Sequence, residues 1–214
     1  MKLLKAFAIT IILLVISQAA PAQTYDAVKD FTIQSNPNGV WSYGYITSWG
    51  TPFTLYTWGG TGGACTPGTS VWSEPPGCPT PSPVVSRNNT NKQICGTTWC
   101  IPTSYLGVGP GPNCELNVTR WTAPSSGSFM MRVKFVGLDW AYPTSTYAYV
   151  VVNSKRLLLQ APITSYEWPL SFNPQTLRLS AGDTIDLLVG CGKNNSYFGD
   201  STGVWARIWS VGQH

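Results

Sequence analysis

The segment Phe129 to Val136, FMMRVKFV, constrains the fold most. Phe129, Met131, Val133 and Phe135 fall on one face of an extended chain, and Met130, Arg132 and Lys134 on the other. A two-residue period belongs to a strand with one face toward a core and the other toward water, and it fits no helix. The period returns between Thr184 and Val189, where Ile185, Leu187 and Val189 alternate with Thr184, Asp186 and Leu188, which predicts a half-buried strand. It returns again in Val204 to Val211, with Val204, Ala206 and Ile208 opposed to Trp205, Arg207 and Trp209. A turn at Ala181, Gly182 and Asp183 launches the first of these two strands, and the polar loop Gly190 to Gly203 leads to the second.

Further strands are expected at Phe31 to Ile33, at Val40 to Tyr45 and at Val118 to Trp121. Tyr147 to Asn153 should hairpin through Asn153, Ser154 and Lys155 into Arg156 to Leu159, with two more strands at Glu167 to Phe172 and Thr176 to Leu179. No stretch has a convincing helical period. Short strands separated by Gly and Pro turns predict an all-β fold, an antiparallel β-sandwich of the jelly-roll type. Between Thr47 and Cys114 the aliphatic residues give way to Gly, Pro, Ser, Thr and Cys. That stretch is too long for an ordinary loop, so it should contain short strands, with a cysteine-rich insertion at about 60–115 stapled by disulfides.

The amino terminus carries Lys2 and Lys5, then the apolar run Ala6 to Ile16, then Ala20, Pro21 and Ala22. This is the pattern of a secretory signal peptide with an A-x-A cleavage site, too short and wrongly flanked for a stable membrane anchor. Residues 1–22 are therefore expected to be removed, leaving 23–214 as a single secreted domain with no membrane span. Without Lys2 and Lys5 the chain has 11 basic residues against 9 acidic ones, a net charge of +2. The charges are scattered, with no Lys or Arg stripe to follow a phosphate backbone, so nucleic acid is not an expected partner.

All six cysteines lie beyond the signal, and an even number in an exported chain argues for disulfides. The pairing read from their positions is Cys65 with Cys78, Cys95 with Cys100, and Cys114 with Cys191, two local bridges and one that ties the central region to the closing strands. Zinc fits poorly, because no C-x-x-C pair occurs and the only histidine is the terminal His214.

Five segments in order, FTIQSNPNGVWSYGY, RWTAPSSGSF, FVGLD, AGDTIDLLVG and YFGDSTG, resemble a domain of secreted bacterial proteins, many of which end in a PEP-CTERM sorting signal. The resemblance implies a jelly roll similar to galactose-binding-like and carbohydrate-binding modules, with no established activity attached. This chain departs from the pattern in its cysteine-rich insertion and in lacking the sorting tail.

A Ser-His-Asp triad needs a histidine held inside the fold, and a cysteine nucleophile needs a base; His214 suits neither. Glycoside hydrolysis needs two carboxylates, but no spacing among Glu74, Glu115, Glu167 and the aspartates specifies a pair. The expectation is a protein that is not an enzyme. Ten Trp and ten Tyr against seven Phe favour rings with a polar handle, the residues of wet and half-exposed sites. A sugar presents C–H faces beside hydroxyls, which suits an indole flanked by amide and carboxylate groups. Trp41 and Trp121, inside strands, are expected in the core.

Trp49, Trp58, Trp72, Trp99, Trp140 and Tyr142 lie in Gly-, Pro- or Ser-rich stretches, where binding residues concentrate. The preferred glycan-binding cluster is Trp140 and Tyr142 with Asp139, and the second is Tyr197 with Asn194 and Asp200, with Trp49 and Trp58 as further ligand-binding candidates. Asp183, Asp186 and Asp200 are hard oxygen donors that could hold a structural calcium, although no D-x-D-x-D loop is present; no other cofactor is expected. Asn88, Asn117 and Asn194 head N-x-S/T sequons. A structural or adhesive protein that self-assembles is the alternative to a polysaccharide-binding module, since exposed aromatics serve both.

Overall fold

The computed structural model describes residues 23–212, apart from 64, 75–80, 143 and 174–175. The expected signal peptide and Cys78, with its expected bond to Cys65, lie outside the described residues. No helix occurs among them, and none is long and apolar enough to cross a membrane. The fold is an antiparallel β-sandwich.

The larger sheet is built on β17 (Thr202–Val211). Strand β11 (Gly127–Gly137) runs along one edge of it in a ten-residue register from Ser128 opposite Val211 to Gly137 opposite Thr202. The other edge of β17 is shared by β9 (Leu106–Gly109) and β1 (Thr24–Asp26). From β9 the sheet continues through β6 (Val84–Asn88), β5 (Thr69–Ser73) and β4 (Trp58–Thr61). Beyond β11 lie β14 (Leu170–Phe172) and β15 (Leu177–Leu179).

The smaller sheet has the order β13 (Arg156–Ile163), β12 (Thr146–Val152), β16 (Thr184–Gly190), β10 (Leu116–Thr122), β2 (Trp41–Ile46) and β3 (Thr54–Leu55). A two-stranded hairpin of β7 (Ile94–Cys95) and β8 (Cys100–Ile101) stands apart. The cysteine-rich stretch thus contributes four strands, β4, β5, β6 and β9, to the larger sheet.

The alternation read from the sequence places the core. Phe129, Met131, Val133 and Phe135 of β11 and Val204, Ala206 and Ile208 of β17 face Trp41, Tyr43, Trp121, Ile185 and Leu187 of the other sheet, all buried in one cluster. Strand β16 is buried on both faces rather than half-buried. The cause is the loop from Thr47 to Phe53, which folds over the outer face of the smaller sheet, where Leu188 packs with Ile46, Leu116, Val118, Tyr149 and Val151. There the Arg120 guanidinium lies 4.1 Å from the Phe53 ring centre and bonds both oxygens of Asp186, at 2.6 and 2.8 Å.

Two strand expectations are corrected. Phe31 to Ile33 joins no sheet, because side chains take its backbone carbonyls: Trp72 Nε1 donates to Thr32 O at 2.7 Å and Arg87 to Phe31 O at 3.2 Å. Strand β14 begins only at Leu170, since Glu167 sits at φ +57° and donates its N–H to Gly137 O. The Asn153–Ser154 turn forms as expected, with both residues at φ +53°, the backbone of a tight two-residue hairpin.

Two expected disulfides, Cys95–Cys100 and Cys114–Cys191, are present. The second closes a 77-residue separation, for which the chain-entropy model gives about 4.5 kcal/mol of stabilisation.

Trp121 is fully buried, with the rings of Phe129 and Tyr25 at 5.0 and 5.6 Å, so it is a joint between the two sheets and β1. Trp121→Ala should lower stability by about 3–5 kcal/mol, read as a fall in the urea midpoint at unchanged slope.

Candidate functional site

The outward face of β4, β5, β6 and β9 carries small side chains where a sheet usually carries large ones. Ser86 pairs with Gly107 and Val84 with Gly109, so the middle of this face is a shallow floor. Gly107 matters sterically: a Cβ there would lie 3.0 Å from both Ile101 Cδ1 and Ser86 Oγ. Gly109 is different, because a Cβ would meet only Val84 Cγ1 at 3.6 Å. Above this floor is a cavity of about 520 Å³, within the range of small-molecule sites.

Three half-buried aromatic residues from three separate elements line the cavity, Trp58, Trp99 and Tyr197. Trp58 projects outward from edge strand β4, and Gly60 makes room for its ring, since a Cβ there would fall 2.7 Å from the indole. Trp99 lies in the hairpin turn closed by Cys95–Cys100 and packs back on Gly96, whose N–H donates to Trp99 O at 2.9 Å. The hairpin is docked on the segment after β11: Cys100 donates to Leu138 O, and the Trp140 N–H to Thr98 O.

Tyr197 comes from the loop between β16 and β17, which crosses from one sheet to the other and is fixed at several points. Cys191 is bonded to Cys114, the Ser145 N–H and hydroxyl donate to Asp200 Oδ1 at 3.2 and 3.0 Å, and Asn194 Nδ2 donates to Ser145 Oγ at 2.8 Å. The Ser201 N–H donates to Asp139 Oδ2 at 2.6 Å, and Leu138 N–H to Ser201 O at 2.8 Å.

Of the sequence candidates, the structure brings Trp58 and Tyr197 together at the cavity, and Trp99, singled out only as an aromatic of a loop-like stretch, joins them. Trp140 and Tyr142 are 55% and 59% exposed and do not line it. Asp139, expected beside them at the surface, is instead 3% exposed, because it anchors the Ser201 backbone. Trp72 is corrected from a loop residue to a buried one in β5. Trp49 lies on the other sheet, edge-on to Tyr149 at 4.8 Å, beside a cleft of about 400 Å³ lined also by Phe53, Arg120, Asp186 and Lys155.

The aspartates expected to share a calcium do not converge. Asp183 and Asp186 lie at the start of β16, bonded to Ser180 N–H and to Arg120, while Asp200 lies beyond its far end. No group of three acidic, His or Cys residues that could hold a metal occurs among the described residues. Glu74 accepts from Thr57, Glu115 from Asn113, and Glu167 is exposed, and none of the three lines the cavity. Sequons Asn88 and Asn117 are buried and hydrogen-bonded, which leaves Asn194 as the exposed one.

Asp139 and Asp200 form a buried acidic pair behind the Leu138 and Ser201 wall. Burial pushes both carboxyls up, Asp200 to about 6, with the charge of Asp139 adding to the effect. Asp200 Oδ2 is buried without a hydrogen-bond partner. Since its folded pKa lies above the ordinary 3.8, its contribution to stability is complete below about pH 4 and lost as pH rises through 6. The urea midpoint should therefore fall between about pH 4 and pH 6 and level off above that, and Asp200→Asn should flatten the fall; an equally steep fall in the variant would refute the assignment.

No family model and no curated protein matches the chain. Among solved structures, a family 35 carbohydrate-binding module from Clostridium thermocellum aligns at 12% identity and TM-score 0.32, over 67% of this chain and 92% of that one. Rabbit GITRL aligns at 14% identity and TM-score 0.31, over 44% and 74%. The C-terminal family 6 module of the laminarinase LamC from Zobellia galactanivorans aligns at 16% identity and TM-score 0.29, over 48% and 78%. Likenesses this distant carry no argument about ligand or activity, and the sandwich stands on its own strand registers.

Proposed function

We propose that residues 23–214 form a single exported, non-catalytic domain that binds carbohydrate in the cavity on the outward face of β4, β5, β6 and β9. The observation that carries this reading is the placement of Trp58, Trp99 and Tyr197 around a floor of small residues. Flat rings match the C–H faces of a pyranose, and half-buried Trp and Tyr keep a polar edge for its hydroxyls. The site is pre-organised, since each ring stands on a strand or a pinned segment, so little side-chain freedom remains to be lost on binding. Disulfides among the described residues support an oxidising, extracytoplasmic setting.

Isothermal titration against a panel of polysaccharide oligomers tests the reading. Trp58→Ala and Trp99→Ala should each weaken binding about tenfold or more, while Trp140→Ala should leave it unchanged. Gly109→Phe should abolish binding without unfolding the protein, because its side chain would project into the cavity and meet little else. Binding that survives Gly109→Phe in a folded protein would place recognition elsewhere.

A further inference from the structure

The chemistry of the lining narrows the ligand further. Among the described residues, none of the side chains lining the cavity is charged, whereas the cleft beside Trp49 holds Arg120, Asp186 and Lys155. A carboxylate, sulfate or ammonium group entering the cavity would lose its hydration with no opposite charge to meet it.

Neutral polar side chains are present, but several are already engaged. Among the described residues, the side-chain hydroxyls of the lining are those of Thr61, Thr66, Ser82, Ser86, Ser201 and Tyr197, and Trp58 and Trp99 add an indole N–H each. Ser86 Oγ already donates to Gly107 O at 2.9 Å, Thr66 Oγ1 to Gly62 O at 3.4 Å, and the Ser201 side chain is bonded to Asp139. Ser82 Oγ is itself buried, so the polar side-chain groups left to serve a ligand are the hydroxyls of Thr61 and Tyr197 and the indole N–H groups of Trp58 and Trp99. The floor adds little, because β9 is flanked by β6 and β17 and its backbone groups are taken up in the two ladders. The remaining side chains of the lining are apolar, including Val71, Pro81, Val84, Ile101 and Leu138.

A plain pyranose brings several hydroxyls. Those turned toward the aliphatic wall would exchange water for hydrocarbon and go unpaired, which is the strongest form of discrimination a pocket exerts. We propose that the cavity is selective for uncharged glycans in which some hydroxyls are replaced by apolar substituents, O-acetyl or O-methyl groups. The inference rests on the reading of the cavity as a glycan site and adds the class of glycan. The acyl or ether methyl meets the aliphatic wall, and each substituted oxygen no longer needs an acceptor.

The test is titration calorimetry with xylo-, manno- and cello-oligosaccharides in three forms, free, partly O-acetylated and partly O-methylated, with polygalacturonate as the charged comparison. At least one substituted series should bind about tenfold or more tighter than its free parent. Polygalacturonate should not bind, and mild alkaline deacetylation should remove the gain. Gly109→Phe should abolish the tight binding; should that variant fail to fold by circular dichroism, Trp58→Ala replaces it. Free oligosaccharides that bind as tightly as substituted ones, or polygalacturonate binding lost in these variants, would overturn the selectivity while leaving the glycan site standing. Failure of every neutral form to bind would overturn both.

Discussion

The ladder between β11 and β17 is the constraint on which the rest depends. Ten residues pair without a break, and in a strand pair a slip of one residue would carry Phe129, Met131, Val133, Phe135, Val204, Ala206 and Ile208 out of the core together. That penalty fixes the register. With the register fixed, the free edge of β17 has a defined position, and it is divided between β1 at its far end and β9 at its start. The pairing of Gly203 with Gly107 then sets where β9, and through it β6, β5 and β4, must lie. The floor of the cavity is in this sense an extension of the central ladder.

Around that floor, polar contacts hold the walls. Asp139 follows β11 and Asp200 precedes β17, and each accepts from the backbone of a segment it does not belong to, Ser201 in one case and Ser145 in the other. The two carboxylates are buried close enough for the charge of one to raise the pKa of the other. A buried carboxylate that anchors a loop costs solvation and returns geometry. Here the geometry returned is the position of Leu138, Tyr197 and Ser201 along one wall. The Cys95–Cys100 hairpin, docked on Leu138, supplies Trp99 to the same cavity, so a short disulfide and a buried acid act on one site.

The fold was largely legible because β11, β16 and β17 alternate strictly and the turns between them carry Gly, Asn or Asp. The local disulfide and the long one were legible from position. Phe31 to Ile33 was misread because its apolar residues do enter the core, while its backbone carbonyls go to Trp72 and Arg87, and a strand pattern does not reveal where carbonyls go. Part of the candidate site was legible: Trp58, as an aromatic of a Gly-rich stretch, and Tyr197, grouped with Asn194 and Asp200, were both read as ligand-binding candidates. Trp140 and Tyr142 were preferred because an acidic residue adjoined them, but Asp139 points inward to Ser201. The missing signal lay in the small residues. Gly107, Gly109 and Ser86 read as weak strand formers, and only their alignment across β6 and β9 shows that together they form a floor.

The central claim is that recognition takes place over this floor and not at the exposed Trp140 and Tyr142. The chain's ten tryptophans each carry an indole N–H that reports separately in a two-dimensional nitrogen–proton spectrum. On titration with a substituted neutral oligosaccharide, the Trp58 and Trp99 indole signals should shift together and saturably while that of Trp140 stays in place. Shifts confined to Trp140, or to Trp49 on the opposite sheet, with Trp58 and Trp99 unmoved, would contradict the account.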